Sequence, residues 1–204
     1  MNREQLEVLR KLASDKEYGR GPNHANQVKR LSLKIYDEFV RLGVLQKPGD
    51  DKQVLETAAL LHDIGLFKEP HKEPHNEVAF DFLSATLPRL MANNPLTMEE
   101  SSTILYCVLW HRGARFAQRG AIHIADLSYT KKVAAILRVG DALDRTLQQL
   151  MEDVSLRVDG GGLIFTVLSK YSVETEINRA KEKADLMKEA YTLTGVGFEH
   201  ASNK

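Results

Sequence analysis

The amino-acid sequence predicts a mainly α-helical bundle that ends in a β-hairpin and a closing helix, on three observations. Apolar residues recur at steps of three and four in successive segments as far as about residue 150. Clusters of glycine, proline and asparagine separate those segments. The period then changes to two, with Val154, Leu156 and Val158 alternating before Asp159-Gly160-Gly161-Gly162 and the β-rich run from Leu163 to Leu168.

Each element has its own signal. Leu6, Leu9 and Ala13 predict a short first helix, closed by the breaker-rich Tyr18-Gly19-Arg20-Gly21-Pro22-Asn23. Asn23 then offers an N-cap for a longer helix whose stripe is His24, Val28, Leu31, Ile35, Phe39 and Leu42, with Gly43 placed to end it. After Pro48-Gly49-Asp50, a helix carries Leu55, Ala58, Ala59 and His62 on one face, and Gly65 is the expected stop. Pro74 suits the first turn of the next helix, through Val78, Ala79, Phe82 and Leu83, and puts His75 at its N-terminal end. Asn93-Asn94-Pro95 interrupts the pattern, and Thr97-Met98-Glu99-Glu100 is a capping box for a helix that ends in Trp110-His111-Arg112-Gly113. A basic loop follows, from Arg112 to Ile124, with Arg115 and Arg119. Tyr129 to about Leu150 reads as the last long helix of the core, with Val133, Ile136, Leu137, Gly140, Asp141 and Asp144 on or near one face. Beyond the hairpin, Val173, Ile177, Ala180, Ala184 and Met187 predict one closing helix, and the tail from Gly195 to Lys204 reads as frayed. Residues 1–150 are expected to form the helical core, and 151–204 to pack on it as part of one compact unit.

Composition narrows the function classes. Lys+Arg and Asp+Glu are both 28 in 204 residues, so no global field attracts a nucleic-acid polymer or an acidic membrane surface. An anionic partner must be recognised locally. No apolar run approaches the roughly 18 residues of a membrane span, and the start Met1-Asn2-Arg3-Glu4-Gln5 has no apolar leader core. The single cysteine, Cys107, lies in an apolar segment and reads as a buried thiol in a reducing compartment. A soluble, cytoplasmic protein is expected.

The chemistry gathers at polar donors on apolar stripes or helix ends: His24, His62, Asp63, His75, His111 and Asp141. Imidazole nitrogen with carboxylate oxygen suits iron, manganese, cobalt, nickel or zinc, and the lack of thiolates speaks against a finger-type structural zinc site. Each donor also has an ordinary role open to it. His75 could cap its helix, His111 could bond a neighbouring carbonyl, Asp63 could accept at a helix end, and Asp141 could pair with Arg138 or Arg145. Their conjunction favours a metal, because several buried donors without a cation would each cost about 1 to 3 kcal/mol. His71 and His123 sit in polar contexts and read as surface residues.

The order His24, His62-Asp63, Asp141 resembles the H...HD...D signature of HD-domain metal-dependent phosphohydrolases, and His75 with His111 resembles its binuclear variant. Ala58-Ala59-Leu60-Leu61-His62-Asp63-Ile64-Gly65, Trp110-His111-Arg112-Gly113 and Leu137-Arg138-Val139-Gly140-Asp141-Ala142-Leu143-Asp144-Arg145 are similar to the C-terminal HD-like region of the exopolyphosphatase and guanosine-pentaphosphatase family. The actin-like phosphatase domain of those enzymes has no counterpart here, and Leu66 stands where a lysine often follows the HDIG run, with Lys68 nearby. The resemblance implies an HD-domain helical bundle.

It also implies a divalent-metal cofactor, expected as two ions (Fe, Mn, Co, Ni, Zn or Mg). Asp63 would bridge them, with His62, His24 and Asp141 on one and His75 and His111 on the other. Such a pair activates water for attack on phosphorus. The expected substrate is a small phosphorylated molecule such as a guanosine polyphosphate or an oligophosphate, with Lys68, Arg112, Arg115 and Arg145 as candidate phosphate clamps. A homo-oligomer is compatible. The competing readings are a non-catalytic module that senses polyphosphate or nucleotide, and an iron-dependent oxygenase on the same scaffold.

Overall fold

Helix ends set the plan of this chain. The computed structural model describes residue 11 and residues 20–45, 51–68, 74–90, 96–113, 122–124 and 126–202, apart from a few side chains within them. The expected first helix, the break at Asn93-Asn94-Pro95, and His71, Arg115 and Arg119 lie outside the described residues, as does the side chain of Lys68.

Helix α1 (Pro22–Arg41) buries His24, Val28, Leu31, Ile35 and Phe39. It starts on Gly21 and Pro22, not on an Asn23 cap: Gly21 has φ 89°, no side chain caps the first turn, and Pro22 supplies a pre-set helical φ. Gly43 closes it as expected, in a Schellman turn with Val44 N donating to Phe39 O at 3.0 Å and Gly43 N to Val40 O at 3.0 Å.

Helix α2 (Asp51–Leu61) stops before His62-Asp63, which occupy a turn leading into a 3-10 helix (Ile64–Lys68). Gly65 is therefore not the stop that its position predicts. It lies inside the 3-10 turn, where an added Cβ would overlap His75 O and come within 2.6 Å of Ala79 N. A side chain there would wedge the His62-Asp63 turn off helix α3 (His75–Leu90). Pro74 precedes α3 as the acceptor of its first bonds, from Glu77 N and Val78 N, and is not in its first turn.

Helix α4 (Met98–Trp110) carries the expected capping box: Thr97 Oγ1 accepts from Glu100 N at 3.1 Å, and Glu100 Oε2 accepts from Thr97 N at 2.7 Å. Helix α5 (Leu127–Ala142), capped by Asp126, is shorter than its periodicity predicts and ends well before Leu150. The reason lies in competing acceptors. Asp144 takes the N–H of Gln149 at 2.9 Å, and Glu176 takes that of Thr146 at 3.3 Å, so neither enters the helical ladder. Leu147 and Gln149 sit at positive φ as a result, 61° and 51°.

Strands β1 (Asp153–Asp159) and β2 (Gly162–Leu168) form the expected antiparallel hairpin. A third strand, β3 (Val196–Ala201), pairs parallel with β2 in the register Phe165↔Phe198, where a frayed tail was expected. Phe198 stacks on Phe165 with ring centroids 4.8 Å apart, which anchors the segment. The closing helix is two: α6 (Glu174–Lys183) and α7 (Asp185–Ala190), broken at Ala184 although the apolar stripe runs on through it. Together they form the crossover that a parallel β2–β3 pair requires.

One buried cluster runs from Val28, Leu55 and Ile136 through Trp110 to Leu156, Phe165 and Ala180. Helices α1 and α5 approach closely at Gly140. A Cβ on Gly140 would overlap Ser32 Oγ and stand 3.3 Å from Ser32 N. That contact brings His24 and Asp141 to one end of the bundle. Gly65→Ala should destabilise the fold by about 3 kcal/mol, the upper range for overpacking, which urea denaturation reads directly.

Candidate metal centre

Five helix ends supply the six donors. His24 lies in the first turn of α1, His62-Asp63 just past α2, His75 opens α3, His111 is the C-cap of α4, and Asp141 lies in the last turn of α5. All are buried except Asp141, which is partly exposed. They form two groups, His24/His62/Asp141 and Asp63/His75/His111, each with donor atoms within 4.8 Å of one another.

Asp63 lies between the groups. Its Oδ1 is 3.0 Å from His75 Nε2 and 3.6 Å from His111 Nε2. Its Oδ2 is 3.5 Å from both His24 Nε2 and His62 Nε2, and 3.1 Å from Arg20 Nε. Asp141 Oδ1 closes the first group, 3.5 Å from His24 Nε2 and 3.6 Å from His62 Nε2.

Hydrogen bonds behind the rings fix which nitrogen faces inward. His62 Nδ1 donates to Ala59 O at 2.8 Å and His111 Nδ1 to Val108 O at 2.6 Å; carbonyls only accept, so these Nδ1 atoms carry the protons. His24 Nδ1 is held the same way by Asp144 Oδ2 at 2.8 Å. In their neutral forms all three rings then aim Nε2 lone pairs at the centre. His75 is the exception: Arg112 Nη1 donates to its Nδ1 at 3.3 Å, which leaves the proton on Nε2, facing Asp63, so this nitrogen can take a cation only by giving up that proton.

A cation fits this arrangement on structural grounds. His24 Nε2 and His62 Nε2 face each other at 3.3 Å, as do His75 Nε2 and His111 Nε2. Buried Asp63 Oδ2 accepts no hydrogen bond. The set is all nitrogen and carboxylate oxygen, which suits divalent transition metals. Outer hydrogen bonds from ring Nδ1 to a carboxylate or a carbonyl are what metal-ligating histidines generally have.

The same crowding perturbs titration. For His24, burial opposes protonation, but hydrogen bonds to Asp141 and Asp144 and the charge of Asp63 raise its pKa to about 9. His111 moves the other way, to about 4, because burial outweighs its bond to Asp63. Asp63 and Asp141 lie well below the usual carboxylate range; burial opposes this, but the charge of His62 on Asp63 and the hydrogen bond from His24 on Asp141 lead the opposing effects.

Residues 23–146 match the HD domain. The chain belongs to the HD-domain family. HD-domain proteins are generally metal-dependent hydrolases of the phosphohydrolase superfamily, and the HD match takes in every donor described above. No curated protein matches the chain. No helix among the described residues is long and apolar enough to cross a membrane.

The ordinary roles weighed for the donors fare differently. Arg138 gives Nη2 to Asp185 Oδ1 at 2.6 Å, while Asp141 faces His24 and His62. His111 does bond a carbonyl, but with the nitrogen that points away from the centre. Arg112 and Arg145 line a cleft of about 460 Å³, counted to its open mouth, over the HD centre. His123 is exposed, as expected.

Four residues near the centre escaped sequence reasoning: Asp144, Arg20, Arg179 and Lys183. Buried Asp144 orients His24 and is itself held by Gln149 N at 2.9 Å and Gln149 Nε2 at 3.2 Å. Lys183, also buried, donates Nζ to His111 O at 2.8 Å and Arg112 O at 2.5 Å, satisfying carbonyls at the end of α4. Burial lowers its pKa to about 8. Asp144, three residues after Asp141, was the one signal available.

Two outcomes follow for the HD centre. A cation at His24 and His62 must displace protons that the neighbouring carboxylates hold more tightly than usual, so metal affinity should rise with pH up to about 9 and then flatten. Calorimetric titration in buffers of different ionisation heat reads the released proton. Asp144→Asn should weaken metal binding by about 10- to 100-fold through His24 alone, as a competitive chelator assay measures.

Proposed function

We propose that this HD-domain chain hydrolyses a phosphate ester or anhydride of a small nucleotide or oligophosphate, with water as the nucleophile. The observation that carries the reading is the pair of adjacent His/Asp groups, with Asp63 lying between them, beneath an arginine-lined cleft. We read the site as binuclear: His24, His62, Asp141 and Asp63 would hold one divalent cation, and Asp63, His75 and His111 the other. The likeness to the C-terminal region of exopolyphosphatases belongs to the same reading, supported by the three segments around His62, His111 and Asp141.

The chemistry that cations held there would supply is a water ionised near neutral pH and neutralisation of charge on the phosphoryl oxygens. The chain's own residues do the rest. Arg112 and Arg145 line the cleft beside the donors, where planar guanidinium groups bind phosphoryl oxygens in pairs. Lys68, ending the 3-10 helix that follows Asp63, is proposed as a further clamp. Arg20 keeps the Asp63 carboxylate in place through Oδ2. A covalent route through Cys107 is disfavoured, because the thiol is fully buried and burial raises its pKa. With balanced net charge and a local cationic cleft, the partner is a small phosphorylated molecule and neither a nucleic-acid polymer nor a membrane, and the protein works in the cytoplasm, alone or as a homo-oligomer.

The test is turnover of a panel of nucleotides, sugar phosphates and oligophosphates by protein of measured metal content. Asp63→Ala should lose both the metal and activity, by about a thousandfold or more in kcat. Saturable binding with no product across the panel would assign the chain to sensing instead.

A further inference from the structure

We infer that Arg145 and Arg179 form a second anion subsite in the cleft, which holds a phosphate of the substrate other than the one attacked. The inference rests on the hydrolytic reading for its name, but on separate residues for its support. Arg179 lies on α6, outside the residues that match the HD domain.

The cleft is lined by the cations Arg20, Arg112, Arg145, Arg179 and Lys183 against the carboxylates of Asp63, Asp141 and Asp144, an excess of positive charge. Three of these cations have work already. Arg20 pairs with Asp63, Arg112 with His75, and Lys183 with two carbonyls at the end of α4. Arg179 has a partner on its own helix, Glu182 Oε2 at 2.6 Å, but both side chains are solvated at 36% and 64% exposure, so that pair contributes little. Arg145 is exposed at the head of the loop that follows α5.

The backbone beneath the two arginines is fastened on both sides. Buried Glu176 accepts from Thr146 N at 3.3 Å and Thr146 Oγ1 at 2.5 Å, which ties the Arg145 loop to α6. Lys183 ties the other end of α6 to the carbonyls of His111 and Arg112. Arg179 lies between these anchors, one helical turn from each. Two buried charged groups thus hold an arginine-bearing helix against the cleft. Guanidinium groups lining one open cleft repel until an anion enters, and each offers a fork that fits phosphate oxygens. The ligand class is a molecule with at least two phosphoryl groups, such as a condensed phosphate or a bisphosphate, in preference to a simple monoester.

The experiment uses the full chain, first stripped of metal, titrated calorimetrically with inorganic tripolyphosphate and with orthophosphate. Wild type should bind tripolyphosphate at least about tenfold more tightly. Arg179→Gln should remove most of that difference and Arg179→Lys should keep part of it, with circular dichroism confirming the fold of each. Equal binding of the two anions, or a difference that Arg179→Gln leaves intact, overturns the subsite. In metal-loaded protein, the ratio of kcat/KM for tripolyphosphate to that for p-nitrophenyl phosphate should fall about tenfold in Arg179→Gln, through KM. Tripolyphosphate binding that depends on Arg179, without turnover of any phosphate compound, would sink the hydrolytic reading and keep the subsite. Monoester hydrolysis without the binding difference would do the reverse.

Discussion

The burial of Asp63 is the constraint that the rest of this HD domain answers to. A carboxylate 7% exposed, among four imidazoles, is tolerable only where positive charge is held close. The chain meets that need by ending helices around it. α1 and α3 begin there and α2, α4 and α5 finish there, so each can present polar side chains without breaking its own hydrogen-bond ladder. Gly65 and Gly140 let the backbones approach closely enough for the ends to meet. His24 shows the effect on the neighbours: its affinity for a proton is raised by the same carboxylates that would hold a cation. Metal and proton therefore compete for one well of negative potential.

A second layer decides which atoms face that well. Ala59 O, Val108 O and Asp144 Oδ2 each hold an Nδ1 proton, so His62, His111 and His24 turn their Nε2 atoms inward. The backbone pays for one of these bonds in strain. To keep Asp144 on His24, the chain leaves the helix after Ala142 and passes through Leu147 and Gln149 at positive φ. Hydrogen bonds from Gln149 to Asp144 and from Thr146 to Glu176 hold that loop. Local strain is thus traded for the orientation of a single imidazole.

The six donors were legible in the sequence because each places a polar group where helical periodicity calls for an apolar one, or at a helix end. Asp141 one turn after Leu137 is the clearest case. Asp144 shares that face, but periodicity that runs past the true end of α5 made it one more position of a continuing helix; Asp144 itself and Glu176 take the amides that would have continued it. β3 was missed because Gly195, Gly197 and the Glu199-His200 pair dilute its alternation, while the partner that makes it a strand, β2, is distant in sequence. Arg179 and Lys183 read as a solvated helix face, because charged residues at helical spacing look the same whether they meet water or a cleft. Tertiary contact alone separates Lys183, which is buried, from Lys181, which is exposed.

The C-terminal sheet acquires a purpose from these contacts. β3 packs against α6, and α6 reaches the metal centre at two points, through Glu176 to the loop after α5 and through Lys183 to the end of α4. A frayed tail would leave α6 without that support on the side away from the cleft. Both of its anchors are buried charged groups hydrogen-bonded to neutral partners, so each is costly if those partners move away. Loosening α6 would expose Glu176 and Lys183 to water, and would release Thr146 and the carbonyls of His111 and Arg112 together. The strand that the sequence hides is thereby coupled to the histidines that it displays, through a helix whose charged face spans the distance between them.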